Sequence, residues 1–102
     1  MVHINFDEIN RSALACLPVI LSRILPDGRA IAGEWVSRNP TRADRHAGSF
    51  KISLVNGRWS DFATGDRGGD VVSLVAYLQN VNQGEAAKLL AAMLGIKGGV
   101  HE

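Results

Sequence analysis

Asn56-Gly57 lies between two short segments in which apolar and polar residues alternate. Both residues tolerate the positive φ angles of a type I′ turn. The dipeptide therefore predicts a tight β-hairpin joining residues 49–55 to residues 58–63. A two-residue loop pairs Leu54 with Trp59, Ile52 with Asp61 and Phe50 with Ala63. One face of the hairpin then holds Phe50, Ile52, Leu54, Trp59 and Ala63, with Asp61 as its misfit. The other holds Ser49, Lys51, Ser53, Val55, Arg58, Ser60 and Phe62. An antiparallel unit of this kind has one face to bury and one to leave in water, so the flanking sequence must supply a cover.

Helical patterns on both sides fit that demand. Asn5 and Glu8 have capping-box spacing, and Phe6, Ile9, Ala13, Cys16 and Leu17 follow at helical intervals. Pro18 ends or kinks this helix near Leu17 and opens a second one over residues 19–25. Pro26-Asp27-Gly28 is a turn. Residues 30–37, with Ile31, Trp35 and Val36, read as a strand, and residues 39–48 as a loop. Asp70 caps a helix bearing Val71, Leu74, Val75 and Leu78. Asn82 and Glu85 open another with Ala86, Leu89, Leu90 and Met93 inside. Gly95 closes it, with Ile96 folding back on the last turn, and residues 98–102 read as a frayed tail. The expectation is one α+β domain of 102 residues. It has a helical part at 1–28, a three-stranded antiparallel β-ribbon within 29–67 (strands 30–37, 49–55 and 58–63) and a helical part at 68–96.

Net charge is +1, which is no signal for a polyanion by itself. The distribution is uneven. Residues 29–67 carry Arg29, Arg38, Arg42, Arg45, Lys51, Arg58 and Arg67 against Glu34, Asp44, Asp61 and Asp66, while the flanking parts are each slightly acidic. The middle third is where a polyanion would dock. Cys16 is the single cysteine, which rules out an internal disulfide and a cysteine-based zinc site. His3, His46 and His101 are too scattered for a metal cluster. No signal-peptide pattern and no apolar run of about 20 residues is present, and a cytoplasmic, non-membrane protein is expected.

Four features carry chemistry. The polar hairpin face offers Lys51, Arg58 and the Phe62 ring, an arrangement with which small sheets hold single strands, cations on phosphates and the ring on a base. An ordinary solvated sheet face has the same pattern. Arg38, Arg42 and Arg45 lie on one irregular segment and could contact phosphates through their donor forks; solvated surface charge is the alternative. Asp61 on an apolar face costs free energy unless paired, and the loop arginines are its nearest partners, unless the strand frays there. Residues 65–70 form a glycine-rich turn before a helix, with Arg67 as a further contact. The turn lacks the G-K-[ST] of a phosphate-binding loop. No catalytic set is recognisable. Asp61, Asp66 and Asp70 could suggest a magnesium cluster, but they straddle a glycine turn and have simpler roles as a pair, a turn and a cap.

Taken in order, Gly33-Glu34-Trp35-Val36, Asn39-Pro40, Gly48-Ser49-Phe50, Gly57-Arg58-Trp59-Ser60-Asp61-Phe62, Gly65-Asp66-Arg67-Gly68-Gly69-Asp70-Val71-Val72-Ser73-Leu74, Glu85-Ala86-Ala87-Lys88-Leu89-Leu90 and Leu94-Gly95-Ile96 make a pattern. It resembles the zinc-ribbon domain at the N-terminus of bacterial DNA primases, and especially the versions in primase–helicase proteins of phages and integrating elements. The likeness covers about residues 29–96. It implies a ribbon fold and single-stranded template binding, with primer synthesis belonging to a separate domain. The family's zinc ligands, three cysteines and a histidine, fall near Asn39, Arg42, Asp61 and Thr64, which are no zinc-ligand set. The expectation is thus a metal-free ribbon without a cofactor, in which Asp61 paired to the arginine loop stands in for the ion.

The functional expectation is a nucleic-acid-binding module and not an enzyme. It takes single-stranded DNA in preference to RNA, in the replication or priming of a phage or mobile element, through Arg38, Arg42, Arg45, Lys51, Arg58, Phe62 and Arg67. The alternative is a protein-interaction adaptor docking to a replicative helicase, primase or polymerase, for which an exposed patch of Tyr77, Leu78 and Val81 would speak.

Overall fold

The computed structural model describes the backbone of residues 3–95 and 100–101 and the side chains of residues 5–95. In chain order the elements are β1 (His3–Ile4), α1 (Phe6–Ala15), α2 (Leu17–Ile24), β2 (Arg29–Ile31), β3 (Glu34–Ser37), β4 (Phe50–Ser53), β5 (Trp59–Asp61), β6 (Arg67–Gly68), α3 (Val71–Gln79), α4 (Gln83–Leu94) and β7 (Val100–His101). The fold is α+β, with four helices and a five-stranded antiparallel sheet in the order β2-β3-β4-β5-β6. The short β1 and β7 pair separately, so Val100 and His101 are not the loose tail expected from their composition. Ile96 lies outside the described residues.

α1, α3 and α4 begin where side-chain caps place them. Asn5 Oδ1 accepts from the Glu8 amide at 3.0 Å, and Asn82 Oδ1 from the Glu85 amide at 2.8 Å. Asp70 and Ser73 form a reciprocal capping box on α3. Gly95 closes α4 in the left-handed region. α2 starts at Leu17, two residues earlier than the sequence suggests, with Pro18 inside its first turn, where no amide donor is needed. Leu89, expected inside α4, is 43% exposed, and Leu90 takes the buried position.

The ribbon has more strands than the three expected. Residues 30–37 are not one strand but a hairpin, β2 and β3, turned at Ala32-Gly33 with φ of 50° and 81°. Two consecutive positive φ values define a type I′ turn, and an alanine at its first corner hides that turn from sequence inspection. The glycine-rich segment adds β6, paired to β5 through Trp59 with Gly68 and Ser60 with Arg67.

The Asn56-Gly57 hairpin exists, but in a different register. Ile52 faces Trp59, Lys51 faces Ser60 and Phe50 faces Asp61. Only Gly57 has a positive φ, and the loop spans residues 54–57 instead of two residues. The Gly57 amide donates to Ser53 O at 2.9 Å, and Asn56 Oδ1 accepts from the Arg58 amide at 3.0 Å. Gly57 is buried, and a Cβ there would come within 3.1 Å of Val71 and 3.3 Å of Leu14. The longer loop seats Gly57 against α1 and the start of α3. Because the register differs by two residues, the side chains of β4 and β5 keep their expected faces. Ala63, expected on the core face opposite Phe50, instead lies exposed beyond the end of β5.

The core lies between the sheet and the helices. Trp35, Phe50, Ile52 and Trp59 from the sheet meet Ile9, Ala13, Leu17 and Leu21 from α1 and α2, and Val71, Leu74, Val75, Ala86, Ala87 and Leu90 from α3 and α4. Each buried indole N–H has an acceptor: Trp35 donates to Leu25 O at 3.1 Å, and Trp59 to Ser73 Oγ at 3.0 Å.

Candidate nucleic-acid interface

The direct neighbour relations of an antiparallel sheet place paired residues on the same face. Arg29 pairs with Val36, Val36 with Lys51, Lys51 with Ser60 and Ser60 with Arg67. These five residues form a row across all five strands, on the face turned away from the core. A neighbouring row runs Ile31, Glu34, Ser53, with Arg58 beside Ser53 through the Ser53 amide to Arg58 carbonyl bond of 2.8 Å. Phe62 continues β5 on the same side. Its ring is 74% exposed, and Lys51 Nζ lies 6.0 Å from its centroid.

Lys51, Arg58 and Arg67 line one open groove of about 710 Å³, together with Glu34, Ser53, Ser60 and Gly68. Among the described residues, Arg58 and Arg67 make no ion pair, and Lys51 reaches only Glu34 Oε1, at 4.0 Å. The groove thus holds cations largely free of ion pairs, hydroxyls and one carboxylate next to a bare aromatic ring. Of the anticipated residues, Lys51, Arg58, Phe62 and Arg67 are brought together here.

The loop arginines part company. Arg42 turns inward, and its Nε donates to Asp61 Oδ2 at 2.9 Å. Its Nη2 donates to Ser49 Oγ at 2.9 Å and to Asp61 Oδ1 at 3.3 Å, and lies 3.3 Å from Asp44 Oδ2. With its fork engaged on three side chains, Arg42 has little left for a phosphate. Arg38 pairs with Asp27 and borders a separate hollow beside Leu25 and Pro26. Arg45 is exposed and unpaired among the described residues.

Asp61 is therefore paired to the arginine loop, as its place on an apolar face requires. It is fully buried. Burial pushes its carboxyl upward, but hydrogen bonds from Arg42, Asn39 and the Ala63 amide outweigh this and hold it well below the usual carboxylate range. The Arg42 guanidinium is correspondingly held more firmly in its charged form by the hydrogen bond to Asp61, against the opposing effect of desolvation. Asn39, 1% exposed, donates to Asp61 Oδ2 and to Tyr77 Oη, both at 2.8 Å, and its Oδ1 accepts from the Thr41 amide and hydroxyl. Tyr77 donates onward to Asp66 Oδ2 at 2.7 Å. Among the described residues no buried side-chain polar atom lacks a partner.

Sequence reasoning missed Asn39, Thr41 and Tyr77 as members of this node, and Arg29 as a member of the outer row. Tyr77, Leu78 and Val81, considered for an exposed patch, are half-buried and pack against the core. Among the described residues no group of three His, Cys, Asp or Glu side chains is placed to hold a metal ion, and Asp61, Asp66 and Asp70 do not gather. No helix of the described residues is long and apolar enough to cross a membrane. No protein-family model matches the chain, and no curated protein sequence matches it.

Proposed function

We propose that this protein is a single-strand-binding module of the primase zinc-ribbon type that folds without the ion. The observation that carries the reading is the convergence of Lys51, Arg58 and Arg67 on one open groove next to the exposed Phe62 ring. Cations of this kind attract phosphates without reading sequence, and a bare ring stacks on any base. Single-stranded DNA in replication or priming is the preferred ligand, on the strength of the resemblance over residues 29–96. In this reading the Asn39, Arg42 and Asp61 node does the ribbon's structural work where the family has its zinc. The chain contributes binding, and priming chemistry belongs elsewhere.

A labelled oligothymidylate titrated by fluorescence anisotropy at two ionic strengths tests this. Binding at low salt that weakens steeply as salt rises is expected, because neutralised phosphates release counterions. Absence of binding at low salt would reject the proposal.

A further inference from the structure

The outer row has an end that the groove does not include. Arg29, on the edge strand β2, stands in register with Lys51 and Arg67 through Val36 and Ser60. Cations thus alternate with uncharged residues along the row. Adjacent strands are about 4.8 Å apart, so neighbouring cations are roughly 10 Å apart, and the row from Arg29 to Arg67 spans about 19 Å. Arg29 is exposed and makes no ion pair or side-chain hydrogen bond among the described residues. Between the cations stand Val36, 9% exposed, and Ser60, half-buried, both small and uncharged.

We infer that a polynucleotide backbone crosses the sheet perpendicular to its strands, along Arg29, Lys51 and Arg67, and that Arg29 is the residue that extends the site to the β2 edge. This rests on the single-strand-binding reading given above. The path follows from charge placement. A backbone running along β4 and β5 would meet Lys51 and Arg58 but leave Arg29 and Arg67 on opposite sides. A backbone running across the strands meets three cations in line. Phe62 lies beside this line, one pleat from Ser60 on β5, so a base leaving the backbone near Lys51 reaches the ring.

The experiment measures the salt dependence of oligothymidylate binding for the full chain and for Arg29→Ala, Lys51→Ala, Arg67→Ala and Lys88→Ala. Each single-strand phosphate contact contributes about 0.7 to the slope of log K against log salt. Arg29→Ala, Lys51→Ala and Arg67→Ala are each expected to lower the slope by about that amount. Lys88, on α4 and paired loosely with Glu85, should leave it unchanged. Oligonucleotides of about 4, 8 and 12 nucleotides add a second readout, within the range of single-strand modules. The Arg29→Ala effect should be absent with the shortest and present with the longer ones. If Lys51→Ala and Arg67→Ala lower the slope but Arg29→Ala does not at any length, the crossing path is wrong and the groove reading survives. If none of the three changes the slope, the sheet face is not the site, and both fall together.

Discussion

Arg42 and Asp61 form an ion pair, Nε to Oδ2 at 2.9 Å, in which the carboxylate is buried and the guanidinium half-buried, linking the loop after β3 to the end of β5. Removing Asp61 takes away the acceptor of Arg42, Asn39 and the Ala63 amide at once and leaves the Asn39 amide without its buried partner. Asp61→Ala is expected to lower the free energy of urea unfolding and its midpoint. Arg42→Lys keeps the charge but loses the fork that spans Asp61, Ser49 and Asp44, and should also destabilise the fold. Neither change is expected to alter the salt slope of oligonucleotide binding in the folded protein, because Arg42 does not belong to the outer row.

The same pair gives the fold a pH signature. The Asp61 carboxyl is held below its ordinary value in the folded chain, so the unfolded chain binds its proton first as pH falls. Its contribution to stability is therefore complete above the ordinary carboxylate range and is lost progressively below about pH 5. Asp61→Asn should flatten this part of the stability profile, as read from urea midpoints at successive pH values. An unchanged acid limb in that variant would separate Asp61 from acid unfolding.

How much of this was legible depends on which kind of signal each part sends. Caps at Asn5, Asp70 and Asn82 act over three or four residues, so the helices could be placed by inspection. The faces of the residues within β4 and β5 were legible too, because alternation depends only on parity; the point where β5 ends, before Ala63, was not. Register was not, because it was settled by Gly57 docking on Leu14 and Val71, a contact between distant parts of the chain. The turn at Ala32 was invisible for a different reason: nothing about an alanine announces a positive φ. At the site, the need of Asp61 for a partner was legible from its misfit position. Which of Arg38, Arg42 and Arg45 would answer it, and that Asn39 and Tyr77 would join, depended on the path of an irregular loop.

Ala32 yields a direct test of its turn. At φ 50° its Cβ crowds the backbone, a strain of about 1 kcal/mol that glycine does not share. Ala32→Gly is expected to stabilise the protein by up to that amount, and Ala32→Asn by somewhat less. Thermal unfolding of the two variants measures it. Destabilisation by both would rule out the β2–β3 turn as described.

Gly68 lies flat on Trp59. A Cβ there would overlap the indole and the Ser73 hydroxyl. Gly68→Ala should force β6 outward or break the Trp59–Ser73 hydrogen bond, costing roughly 1–3 kcal/mol. The indole fluorescence of the folded variant should change with it.

Glu34 is the one carboxylate in the groove and lies 4.0 Å from Lys51. A phosphate must compete with it. Glu34→Gln is expected to tighten oligonucleotide binding about threefold, the scale of one exposed ion pair. Weaker binding would mean that Glu34 contacts the ligand itself.

The most direct test of the sheet face as the site is an amide chemical-shift titration of the isotope-labelled protein with an oligothymidylate at low salt. The predicted result is that the largest shifts fall on Lys51, Arg58, Ser60, Phe62, Arg67 and Gly68, while α3 and α4 stay nearly still. Shifts confined to those two helices, or none at all, would contradict the account.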